Sequence, residues 1–221
     1  LIQSATLSRA GKTEIARAGW ARAILLEMPA ERIKFAAYLV ENDAALAKTL
    51  QKANSNEETL LTLLRNPGLA PYIAGHHGRG GSTDTIDSFR ENWWCKLGGS
   101  EKENTGWDHY RIYSGFEESI FSQLYPASVE KPFVFAKGQN EFQRIKTAGN
   151  AAEFFSRHLF SAAQKDPKAA WLAEALHYLV KITRYGCDFP DKGKISKKAF
   201  NLLHKNFADS DWAKKTPHWF N

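Results

Sequence analysis

The side chains able to do chemistry gather in the middle third of the chain. His76-His77-Gly78-Arg79-Gly80-Gly81 sets two imidazoles and a guanidinium on flexible backbone, a combination suited to a metal or an anion. A zinc site needs three or four ligands converging tetrahedrally, and these histidines and the distant cysteines form neither a HExxH nor a CxxC pattern. No metal and no cofactor are expected. The glycines follow no strand pattern, so the phosphate-cradling and dinucleotide fingerprints are unmet as well. Proton transfer would draw on Asp108-His109, Glu117-Glu118, Asp84 or Asp87, and a thiol nucleophile on Cys95 with His76, His77 or His109. The spacing selects no pair among them, and no catalytic residue is assigned.

The most unusual string is Trp93-Trp94-Cys95. Neighbouring residues on a helix point about 100° apart, so two adjacent indoles do not fill one core together, and at least one should reach a loop, a groove or a partner. Rings of this kind bury large area at small entropic cost. The strip containing Arg90, Trp93, Trp94, Trp107, Tyr110 and Tyr113 is therefore the expected partner groove, with bracing of the loops against the helices as the structural alternative. Cys95 and Cys187 are the only cysteines, enough for one disulfide closing a long loop and equally compatible with two free thiols.

Charge is unevenly spread. The chain carries 30 Lys+Arg and 24 Asp+Glu, a net of +6. Residues 165–221 hold most of that excess, and Lys192, Lys194, Lys197 and Lys198 cluster there. This is either a solvated face or a phosphate-binding patch. No helix-turn-helix, zinc-finger or aromatic-basic signature accompanies it, so nucleic acid is not the expected partner.

The elements that must position these groups read as helices. Thr13 is placed to cap a first one running to Pro29, with Ile15, Ala18, Trp20, Ile24, Leu25 and Met28 too dense for an alternating strand. Ile33, Ala36, Ala37 and Val40 mark a second from Ala30, and Asn42 or Asp43 starts a third. Ser55-Asn56-Glu57-Glu58 fits a capping box ahead of Leu60-Leu61-Thr62-Leu63-Leu64. Seven of the 15 glycines fall within 75–106, which predicts long loops around one short helix at 84–95. Steps of three and four resume with Phe142, Ile145, Ala148, Ala152, Phe155 and Leu159, predicting one helix over 139–164. Others are expected at 168–185, 196–206 and 211–215. No run reaches the roughly 18 apolar residues of a membrane span.

Ala173-Glu174-Ala175-Leu176-His177-Tyr178, followed after a loop by Ala199-Phe200-Asn201-Leu202-Leu203-His204 and Phe207-Ala208-Asp209-Ser210-Asp211-Trp212-Ala213, resembles a tetratricopeptide-type repeat. In the subtype common in bacterial envelope proteins a Tyr-Pro-x-Ser-x-x-Ala turn closes the unit; the aromatic, the Ser and the final Ala match, and Ala208 replaces the Pro. Arg90-Glu91-Asn92-Trp93-Trp94-Cys95 and Thr183-Arg184-Tyr185-Gly186-Cys187 are similar to strings in bacterial proteins of unassigned function and supply no chemistry. The resemblance implies helix pairs that stack and leave a binding surface.

The expectation is an all-α protein of stacked antiparallel helical pairs, tetratricopeptide-like at its C-terminal end. An N-terminal array at 1–74, a Gly- and aromatic-rich insert at 75–137 and C-terminal helices at 138–221 would share one domain. Its expected work is non-catalytic binding of a protein or peptide in the cell envelope, with a cytoplasmic location as the alternative. The chain begins at Leu1 without an initiator Met or a leader, as a processed or trimmed product would. A hydrolase sited in 75–132, or a binder of acidic polymers through the C-terminal lysines, are the rival functions.

Overall fold

The structure, a computed structural model, describes residues 8–51, 55–65, 144–145, 147–185 and 189–220. Every regular element among them is helical: α1 (Arg9–Leu25), α2 (Pro29–Asn42), α3 (Ala44–Leu50), α4 (Asn56–Arg65), α5 (Ala151–Lys165), α6 (Ala170–Tyr185), α7 (Lys192–Asn206) and α8 (Asp211–Lys214). The expected insert at 75–137 lies outside the described residues, as does the short helix expected at 84–95.

Ser8, not Thr13, opens α1, its Oγ accepting from the Gly11 amide at 3.1 Å. The Thr13 hydroxyl turns back one turn to donate to the Arg9 carbonyl at 3.0 Å. Pro29 does not end this helix. The end is a Schellman turn in which the Glu27 amide donates to the Ile24 carbonyl at 3.1 Å and the Met28 amide to the Ala23 carbonyl at 2.8 Å. Pro29 instead starts α2, where its missing N–H removes nothing. Gly19 lets the two helices approach, since a Cβ there would run into the Phe35 ring.

Asp43 separates α2 from α3. One carboxylate oxygen accepts from the Ala45 and Leu46 amides at 3.1 and 3.3 Å, and the other takes the Arg17 Nε–H at 2.7 Å. The capping box at Ser55 and Glu58 forms as expected, both reciprocal bonds measuring 3.1 Å. The continuous helix expected over 139–164 is interrupted. Gly149 adopts φ +81, and Asn150 caps α5 through a second reciprocal box with Glu153, at 2.9 Å in both directions.

The core is one continuous apolar cluster drawn from both described parts of the chain. Trp20, Leu39, Leu46, Leu63 and Leu64 come from the first part, and Phe154, Phe155, Leu159, Leu176 and Leu203 from the second. Helix α6 lies at its centre, packed against α4, α5, α7 and α8. A bidentate pair ties the two parts together, with Arg65 Nε and Nη2 each 2.6 Å from a Glu174 carboxylate oxygen. Burial, reinforced by the negative charge of Glu174, pushes the Tyr178 phenol up to about 12. Among the described residues no helix is long and apolar enough to cross a membrane.

The last segment is held by polar contacts in place of a helix. The Thr216 hydroxyl donates to the Trp212 carbonyl at 2.7 Å, so it must accept from His177 Nδ1–H, 2.6 Å away. His204 Nε2–H donates to the Thr216 carbonyl at 2.9 Å. The Phe220 amide donates to Ser196 Oγ at 2.9 Å.

Candidate functional site

Arg90, Trp93, Trp94, Trp107, Tyr110 and Tyr113 lie outside the described residues, as do Cys95 and Cys187. The histidines and carboxylates singled out between His76 and Glu118 lie outside them as well. The lysine cluster is described, at the start of α7. The structure also brings together a set of residues that no single stretch of sequence announces.

A half-open cleft of about 310 Å³ lies where the α1–α2 turn meets α4 and α5. Ala23, Ile24, Met28, Leu60 and Phe154 give it an apolar floor, and Glu27, Arg32, Asn56, Thr59 and His158 surround that floor with polar groups. The volume is near the lower end of the range for small-molecule pockets, and a few polar groups stand around an apolar base.

Each polar group is placed by its own element. The Arg32 guanidinium on α2 donates to Thr59 Oγ1 and, at 3.4 Å, to Asn56 Oδ1, which spans the opening from α2 to α4. The Thr59 hydroxyl donates in turn to the Ser55 carbonyl at 2.7 Å. Its proton is therefore directed at the backbone and not into the cleft. His158 lies one helical turn beyond Phe154, the two rings 4.6 Å apart. Burial lowers the His158 pKa; the carboxylate of Glu27 opposes that shift and the guanidinium of Arg157 adds to it. At 3.9 Å, His158 Nε2 and Glu27 Oε1 are beyond hydrogen-bond reach.

Glu27 is the outlier. Its φ of +55 puts a non-glycine residue in the left-handed region, at the position of a Schellman turn that glycine usually fills. Such a conformation costs on the order of 1 kcal/mol, and strain of this kind collects at ligand sites. The carboxylate it carries is exposed at the cleft mouth. The Arg144 guanidinium fixes the same turn from the other side, donating to the Leu26 carbonyl at 2.8 Å.

A shallower concavity of about 560 Å³ lies at the start of α7, lined by Phe189, Pro190, Lys192, Gly193, Lys194, Lys197 and Trp219. Among the described residues no three His, Cys, Asp or Glu side chains come together as metal ligands.

No protein-family model, no curated protein and no solved structure matches the chain.

Proposed function

We propose that the protein is a non-catalytic module of stacked helical pairs that binds a segment of a partner protein, and that the cleft between the α1–α2 turn, α4 and α5 takes an anchoring side chain of that segment. The observation that carries this reading is the strained Glu27 at the mouth of an apolar-floored cleft. The polar groups around the floor suit recognition better than catalysis. The one hydroxyl is committed to a backbone carbonyl, and the imidazole and carboxylate stand too far apart to pass a proton directly.

The tetratricopeptide-like character of the C-terminal helices belongs to the same proposal. Its support is that α6 packs on α7 with Ala173, Ala175, Leu176, Ala199 and Leu203 buried. Ser210 also caps α8, accepting from the Ala213 amide at 3.1 Å, at the position the repeat's Ser would occupy. The aromatic strip Arg90, Trp93, Trp94, Trp107, Tyr110 and Tyr113 is proposed as a further part of the partner surface. The envelope location is proposed on a Cys95–Cys187 disulfide.

Selection from a random peptide library tests the proposal. Peptides enriched on the wild-type protein should share a large apolar residue next to a basic one, matching the floor and Glu27. They should bind Leu60→Glu about tenfold or more weakly, as loss of an anchoring contact predicts. The far-UV circular dichroism of that variant should stay helical. No enrichment, or enriched peptides indifferent to Leu60→Glu, would contradict the assignment.

A further inference from the structure

We infer that the concave surface at the start of α7 is a second binding site, separate from the cleft, that takes an acidic stretch of polypeptide. The inference does not rest on the proposed role of the cleft.

Helix α7 contains Lys192, Lys194, Lys197, Lys198 and Lys205 and no Asp or Glu. Lysines in the first turns oppose the helix dipole, which favours carboxylates there. Helix formation therefore does not account for their placement. Asp191, immediately before the helix, caps no amide with its side chain. It pairs instead with Lys194 Nζ at 2.8 Å, both side chains being mostly exposed. An exposed pair of this kind is weak and exchanges readily with a carboxylate brought by a partner.

The rings on this part of the molecule decide which anion fits. Lys197 Nζ lies 5.3 Å from the centre of the Trp219 ring, Lys198 Nζ 4.3 Å from that of Phe160, and the Arg184 guanidinium 4.7 Å from that of Phe220. Of these rings Trp219 lines the concavity, and it holds the Lys197 ammonium on one face, which restrains that cation and reduces its loss of freedom on binding. Single-stranded nucleic acid would instead stack its bases on open ring faces, and one face of Trp219 is taken up by Lys197. Ammonium groups held over rings suit the carboxylates of Asp and Glu, and Phe189 and Pro190 supply apolar lining for the residues between them.

The test is fluorescence anisotropy with three labelled probes: a peptide of repeated Glu-Gly-Phe-Asp units, its Gln-Gly-Phe-Asn counterpart and oligo-dT of equal charge. Each is titrated into the full chain, into a Lys192→Gln, Lys194→Gln, Lys197→Gln triple variant, and into Trp219→Leu. The acidic peptide should bind and its amide counterpart should not. The triple variant should bind the acidic peptide about tenfold more weakly, the combined effect expected of three exposed ion pairs. Trp219→Leu, which keeps every charge, should weaken it by a smaller factor. Absence of acidic-peptide binding, equal binding of the amide counterpart, or an unchanged affinity in the triple variant would overturn the inference. Oligo-dT binding more tightly than the peptide, with the same loss in the variants, would overturn it in favour of a nucleic-acid surface. An unchanged affinity in Glu27→Gly separates this site from the cleft.

Discussion

At the scale of single residues, His177 shows how a buried polar group is tuned by its partners. It is 3% exposed, donates through Nδ1 to Thr216, and packs against Trp212 at 5.1 Å between ring centres. Burial lowers its pKa to about 4, and Lys181 and Lys215 push it the same way. The unfolded chain therefore takes up the proton near pH 6.5, while the folded protein stays neutral until about pH 4. Stability from this group is complete above pH 6.5 and falls as the pH drops through that window. The loss by pH 4.5 should be about 2–3 kcal/mol. Urea unfolding at pH 7 and pH 4.5 checks this by comparing wild type with His177→Gln. The variant should start less stable at pH 7 and lose less on acidification, whereas equal losses would show that other groups govern the acid response.

At the scale of elements, helix ends and close approaches decide what each segment does. Gly19 sits where α1 meets the Phe35 ring of α2. Gly19→Ala should gain about 1 kcal/mol in helix propensity and lose more to overpacking against Phe35, for a net cost of up to about 2 kcal/mol. Thermal unfolding measures it, and a raised Tm would show that Phe35 swings away freely. The same elements show what was readable in the sequence. The box at Ser55 and Glu58 was readable because cap and partner lie three residues apart and precede an apolar run. The break at Gly149 is hidden in the periodicity, because Phe142, Ile145, Ala148, Ala152 and Phe155 keep a helical period straight through it. A glycine followed by Asn and, three residues later, Glu carried the contrary signal. Proline's interruption of helices points to the end of α1, yet proline is also at home in a first turn, and Pro29 opens α2.

At the scale of the whole molecule, the two described parts of the chain share one core, with α6 at its centre and the Arg65–Glu174 pair across the join. The all-helical architecture of the described residues was readable because periodicity is a local property. The cleft was not, because Glu27, Thr59 and His158 come from three segments that only tertiary packing brings together. Sequence pointed to the lysines of α7, but not to the rings that restrain two of them. The cleft as a binding site stands or falls on Glu27→Gly, with unfolding free energy and peptide affinity measured on the same preparation. Glycine relieves the left-handed strain and removes the carboxylate together. Stability should rise by about 0.5–1 kcal/mol, the relief of a left-handed residue offset by glycine's greater freedom when unfolded. Affinity for the selected peptides should fall about two- to fivefold, the loss of one exposed charged contact. A gain in stability with unchanged affinity would show that Glu27 is only a strained turn, and would contradict the site.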